Sequence, residues 1–159
     1  SNYTAWRLEQ AKWTSQVNGW AQFCCIQQHY TYLPLRPGTT TAPQAFANED
    51  LLDYCRSTGM KLLAYSVLQS GAYTRADRSL PDRLVSADNE KRLAVLRAVA
   101  SETGATVNQV ILRWMLQSSP QIIPLIAASD EAQLQENLGA LDGELSAEQM
   151  ARLNSAGVS

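Results

Sequence analysis

A chain of 159 residues, with 45% hydrophobic and 18% charged side chains, has the composition of a packed domain and not of a disordered segment. Its formal net charge of −2 offers no basic excess to hold a phosphate backbone, which argues against nucleic acid as a partner. No apolar run approaches the ~18 residues of a membrane span, and no leader pattern opens the sequence, so no membrane partner is expected.

In chain order, Tyr3-Thr4 leads into a helical stretch from about Ala5 to Trp13. Gln22 to Gln28 reads as a buried strand around the apolar run Phe23, Cys24, Cys25 and Ile26. Pro34, Pro37, Gly38 and Pro43 mark a loop from Thr31 to Ala47. Asn48 is a helix N-cap, Glu49 and Asp50 suit a first turn, and Gly59 suits a helix end. Met60 to Tyr65 follows as a second apolar strand. Ser66 to Ala87 is a second long loop, rich in charge. A helix from about Asn89 to Thr103 places Leu93, Leu96, Val99 and Ala100 on one side, and Gly104 ends it. Thr106 and Gln109 form a capping box for a helix to about Gln117, with Ile111, Trp114 and Met115 as core positions. Gln121 to Ile126 is a third strand, with Pro124 inside it. Ser129 is expected to cap a helix whose apolar face is Leu134, Leu138 and Leu141. Asp142-Gly143 turns the chain, and Ser146 with Gln149 boxes a last helix to about Asn154.

Three cysteines, Cys24, Cys25 and Cys55, and one histidine, His29, match neither a disulfide framework nor a zinc spacing. No metal is expected. Buried free thiols in a reducing, cytoplasmic compartment are the plain expectation.

Strands alternate with helices, and each strand reads as apolar throughout, as parallel strands buried on both faces do. Three such strands alone leave apolar edges and little covered core. The chain also opens on a loop and helix with no strand ahead of Ser1-Asn2. Both features point to one α/β domain over residues 1–159 that is the C-terminal portion of a (β/α)8 TIM barrel. Its three parallel strands are expected at about 22–28, 60–65 and 121–126.

Four segments at strand ends carry a specific resemblance. They are Ser1-Asn2, Ile26-Gln27-Gln28-His29-Tyr30, Ala64-Tyr65-Ser66-Val67-Leu68-Gln69-Ser70-Gly71, and Ile123-Pro124-Leu125-Ile126-Ala127-Ala128 running on to Gln133-Leu134-Gln135-Glu136-Asn137-Leu138. In this order they resemble the end of the fifth strand and everything after it in aldo-keto reductases. The resemblance implies NADP(H) or NAD(H) as cofactor and a small carbonyl compound as substrate. It implies that Ser1, Asn2 and Gln27 hydrogen-bond the nicotinamide carboxamide, whose donors and acceptors amide side chains match. It implies that Tyr65 stacks on the ring. Ser66, Leu68 and Ser70 fall on the loop that covers the pyrophosphate, and Val67 stands where the family has proline. Gln133, Glu136 and Asn137 fall at the adenosine end.

This sequence departs from the family in two ways. Many relatives grip the 2′-phosphate of NADPH with a cation at the start of the last barrel helix. Here no Lys or Arg lies between Arg113 and Arg152, and the helix opens Ser129-Asp130-Glu131. Carboxylates there repel a phosphate, so a weakened NADPH preference, or outright NADH use, is expected unless Arg75 or Arg78 compensates. The family's Asp-Tyr-Lys-His tetrad belongs to the first four strands, so no catalytic residue is named here. His29 is not the tetrad histidine and is expected to line a loop. Trp20, Tyr30, Tyr32 and Phe46 either shape a substrate pocket or pack under the loops. The expected partner is the missing N-terminal half of the barrel. The alternative is a non-enzymatic half-barrel that pairs with itself, as a homo-oligomer, or with another half.

Overall fold

The computed structural model describes residues 1–157 of the chain. Helix starts follow local capping chemistry. The Asn48 side chain accepts from Leu51 N at 3.1 Å and starts α2, Glu49–Thr58, which stops at Gly59 with φ 72°. Ser86 starts α3, Ala87–Thr103, two residues before the expected Asn89. The Thr106–Gln109 and Ser146–Gln149 capping boxes start α4, Val107–Gln117, and α6, Ala147–Ser155. The helix α1 runs Ala5–Asn18, beyond the expected Trp13, because nothing stops it before Gly19 at φ 67°. In α5, Glu131–Leu138, the cap is Asp130 and not Ser129. The Asp130 carboxylate reaches Gln133 N at 2.9 Å, while Ser129 N donates to the Gln133 side chain at 3.0 Å.

The strands β1, Cys25–His29, β2, Lys61–Tyr65, and β3, Ile122–Pro124, form one parallel sheet in the order β1-β2-β3. Ile26 lies beside Leu62, Gln27 beside Leu63 and His29 beside Tyr65. Leu62 lies beside Ile122 and Leu63 beside Ile123. All three strands are shorter than expected. Phe23 and Cys24 precede β1 and are exposed, so the thiols are not all buried; only Cys55 is, although all three are free. Pro124 has no N–H to extend the ladder, and Leu125 N makes the last bond to Ala64 O at 2.8 Å.

The sheet is covered on one face. Ile26, Gln28, Leu62, Ala64 and Ile122 are buried and join the core with Leu51 and Cys55 of α2 and Ile111 and Met115 of α4. The alternate residues Gln27, Leu63, Tyr65 and Ile123 point the other way; Gln27 and Ile123 are exposed. Burial on both faces was the expectation. Among the described residues it fails because the helices linking successive parallel strands all lie on one side.

The helix α4 ties the second half of the chain together. Its apolar residues Val110, Ile111, Leu112, Trp114 and Met115 are buried. Its residues Gln109, Arg113 and Gln117 recur every four positions and so share one stripe. Gln109 Nε2 donates to Glu136 O at 2.8 Å. Arg113 donates to Ala140 O at 3.0 Å and to Gly139 O at 3.1 Å. Gln117 exchanges two bonds with the Leu145 backbone, at 3.0 and 2.9 Å. This polar stripe holds α5 where an apolar face was expected. Leu134, Leu138 and Leu141 are in fact exposed, and the buried residue of α5 is Asn137.

Replacing Arg113 with Ala removes two charge-assisted bonds to backbone carbonyls that otherwise close a helix end. The expected loss is about 2 kcal/mol in urea unfolding, with faster amide exchange over residues 136–145. An unchanged midpoint would show that the stripe does not hold this segment.

Candidate functional site

Parallel strands place their carboxyl ends together, and the loops after β1 and β2 therefore meet. Thr31 Oγ1 donates to Val67 O at 2.7 Å and lies 2.7 Å from the Tyr73 hydroxyl. Arg36 N donates to Arg83 O at 2.8 Å, and Asn89 Nδ2 to Pro34 O at 2.9 Å. The two long loops are thus one pinned unit. Tyr73, buried beneath it, has its phenol pushed up chiefly by burial.

Asn2 is the centre of the first group of expected site residues. Its N–H donates to Gln27 O at 3.1 Å. Its Oδ1 accepts from the Tyr65 hydroxyl at 2.9 Å and from Ala45 N at 3.0 Å. Two donors at one oxygen orient the amide, so the Asn2 NH2 group points away from both. Burial raises the Tyr65 phenol and the bond to Asn2 lowers it; the net shift is upward, so it remains a neutral donor at pH 7. Gln27 is exposed on the uncovered face, two residues along β1 from His29 and on the same side. Ser1, adjoining Asn2, is exposed.

The sequence reading gave His29 no site role, yet it ends β1 and is 4% exposed. Its ring stacks on Tyr65 at 5.4 Å and 19°, and Phe46 meets it edge-on at 5.1 Å. Gln69 joins it from the turn after β2. Its Nε2 lies 2.6 Å from Ser66 O and 3.3 Å from His29 Nε2. The signal available for His29 was its alternation with Gln27 along β1, which places both on Tyr65's face once the register is known.

Ser66, Leu68 and Ser70 lie on the turn after Tyr65. Ser66 and Ser70 are exposed, and Leu68 is half-buried. Ser66, Gln69 and Ser70 all have left-handed backbones, with φ 58°, 48° and 55°. Each costs a non-glycine residue of order 1 kcal/mol, so the surrounding bonds must hold the turn. Gly71, at φ 87°, also lets the Arg75 side chain lie over it, where a Cβ would meet Arg75 Cδ at 2.8 Å. Arg75 is engaged by Asp77 through bonds of 2.9 and 2.6 Å.

The second group sits on α5. Gln133 is exposed and spends its side chain on Ser129 N and Asp130. Glu136 accepts from Asn108 Nδ2 at 3.4 Å, and Asn137 is 6% exposed. Among the described residues no hydrogen bond joins these three to the Asn2–Tyr65 group.

The aromatic residues of the loops divide. Tyr32 is buried under them, its hydroxyl donating to Leu153 O at 3.0 Å, whereas Trp20 is 63% exposed. Tyr30, Phe46 and part of Tyr32 line a groove of about 1440 Å³ that also touches Trp114, Arg92 and Asn154. Among the described residues no group of His, Cys, Asp and Glu could hold a metal ion, and no helix is long and apolar enough to cross a membrane.

The sequence profile of the Aldo/keto reductase family matches residues 1–157. An aryl-alcohol dehydrogenase from Pestalotiopsis microspora is 26% identical over 96% of this chain and 39% of its own length. An NADPH-dependent codeinone reductase from Papaver somniferum is 27% identical over 67% of this chain and 29% of its own. The crystal structure of a candidate 2,5-diketo-D-gluconic acid reductase B superposes with a TM-score of 0.66 at 22% identity, covering 98% of this chain and 43% of that one. The three parallel strands and six α-helices described here match part of that barrel fold. The chain spans less than half the length of each of these relatives.

Burial, followed by the positive charge of Arg83, lowers the His29 imidazole below its ordinary range. Between that value and about 6.5 the unfolded chain binds more protons than the folded one, so stability rises with pH. The contribution is complete above about pH 6.5 and is lost as pH falls through the folded value. Urea midpoints at pH 7.5 and 5.5 should therefore differ, and His29→Asn should shrink the difference. An equal difference in both proteins would mean that His29 titrates normally.

Proposed function

Because the chain belongs to the aldo/keto reductase family of oxidoreductases, we propose that it supplies the nicotinamide-binding part of an NAD(P)H-dependent carbonyl reductase. The observation that carries this reading is the Asn2–Gln27–Tyr65 group on the uncovered face of the sheet. Asn2 Oδ1 is occupied twice, which leaves its NH2 to donate to a carboxamide oxygen. Gln27 offers both a donor and an acceptor beside it, and Tyr65 offers an aromatic face held by its hydroxyl. Such a set fits a nicotinamide and fixes which ring face meets the substrate. When bound, the cofactor supplies the hydride; the residues here bind and orient. Ser1 flanks Asn2, and Ser66, Leu68 and Ser70 provide backbone N–H groups and hydroxyls for the pyrophosphate.

Proton delivery to the carbonyl belongs, in this proposal, to a tetrad on barrel strands outside residues 1–159. The parts meet through the uncovered face, where Ile123 stays exposed, with Phe23, Leu125 and Ile126 exposed just beyond the strand ends. That same face supports the second reading, a half-barrel that pairs with its own copy.

At the adenosine end, the Asp130 carboxylate sits at the α5 cap and Glu131 follows it, with no cation from Gln117 to Ala151. Arg75 is paired with Asp77. These charges favour NADH over NADPH, in contrast to the codeinone reductase, whose name states NADPH. Parallel fluorescence titrations should give NADH at least equal affinity, and Tyr65→Ala should weaken both by about tenfold, the ~1.4 kcal/mol scale of one aromatic stack. Strong NADPH selectivity would overturn the charge argument. Unchanged binding in Tyr65→Ala would overturn the placement of the nicotinamide. A homodimer that binds neither nucleotide would favour the assembly reading.

A further inference from the structure

The pairing of His29 with Gln69 fixes the ring's protonation state by geometry. A carbonyl oxygen only accepts, so the Gln69 atom 2.6 Å from Ser66 O is its NH2 nitrogen. That nitrogen's second hydrogen serves the His29 Nε2 at 3.3 Å. Nε2 therefore accepts, and the ring proton sits on Nδ1. On the imidazolium, Nε2–H would face the amide NH2. To accept that proton the amide must turn its oxygen to the ring, and then an acceptor faces the Ser66 carbonyl. One of the two bonds is lost in either case.

We infer that His29 is a positioning residue: its neutral ring stacks on Tyr65 and, through Gln69, holds the left-handed turn 66–71, and its protonation releases the turn. The inference rests on the proposed reading of the turn 66–71 as the cover of the pyrophosphate for its consequence, but not for the latch itself. Tyr65 faces His29 from β2, Gln69 from the turn, Phe46 from the loop before α2, and the charged Arg83 from the loop before α3. Arg83 and burial both oppose the charged ring, so the latch stays closed at neutral pH and opens on acidification.

The chain's single histidine gives one imidazole signal, so proton NMR reads it directly. Its midpoint is expected below about 6.5, with the amides of residues 66–71 and the Tyr65 ring shifting at the same midpoint. In Gln69→Leu the turn amides should no longer follow the ring. In Gln69→Glu the carboxylate should raise the midpoint by about one unit. Turn amides that ignore the histidine midpoint in the unmodified protein, or follow it undiminished in Gln69→Leu, would overturn the latch. NADH affinity should fall several-fold across the midpoint in the unmodified protein and stay level in Gln69→Leu. If NADH binds at no pH while the NMR coupling holds, the functional reading fails and the latch stands.

Discussion

The helix α4 is the constraint on which the rest of the structure depends. One side of it buries Ile111, Trp114 and Met115 in the core that underlies the sheet. Another side carries Gln109, Arg113 and Gln117, whose side chains take up backbone groups of residues 136, 139, 140 and 145. A free backbone carbonyl beside a packed helix costs more than a modest hydrogen bond returns. The stripe on α4 removes that cost at four places along a segment with little apolar surface of its own. It explains why α5 can be short, mostly exposed and still fixed. Trp114 extends the same tie to α6 by donating to Asn154 Oδ1 at 2.7 Å.

A sheet supported from one side has an unequal pair of faces, and the candidate site lies on the unsupported one. The buried face takes its residues from the even positions Ile26, Gln28, Leu62, Ala64 and Ile122. The odd positions bring Gln27, His29, Leu63, Tyr65 and Ile123 to the other. A polar residue such as Gln27 is tolerated there because nothing in these residues desolvates it. His29 is the exception, since the loops fold over the carboxyl end of β1 and bury it. The bridge between His29 and Phe46, with Ala47 N donating to His29 O at 2.9 Å, is what closes the loop over that ring.

How much of this was legible in the sequence depended on the range of the interaction. The caps at Asn48, Thr106 and Ser146 are made within three residues, so their signatures are complete in the sequence, and the structure has them at those positions. The parallel order and the barrel-like alternation followed from apolar runs separated by capped helices. The sidedness of the sheet did not, because an apolar strand looks the same whether one face or two are covered. The leucines of α5 misled for a related reason: periodicity shows that a stripe exists, not that a neighbour covers it. Trp6, Trp13 and Trp20 of the first segment repeat every seven residues and are likewise exposed. His29 and Gln69 escaped because their meaning lies in a register and a turn, 40 residues apart. The resemblance could place Tyr65 and Asn2, but not the bond between them.

That bond bears on how such a site is built. An aromatic platform is useful to a nicotinamide only if its plane is set before the ligand arrives, since ordering it afterwards would draw on binding energy. Tyr65 is set from three directions: Asn2 takes its hydroxyl, His29 stacks on its ring, and its own backbone carbonyl accepts from Tyr30 N at 3.3 Å. Asn2 is in turn set by Ala45 and Gln27. The turn beyond Tyr65 contains three non-glycine residues in left-handed conformation, and such a turn relaxes unless side chains hold it. Gln69 is the residue that does so, and its second hydrogen is committed to a group that gains charge on acidification. In the proposed reading, the hold on that turn and its sensitivity to acid therefore come from the same pair of atoms.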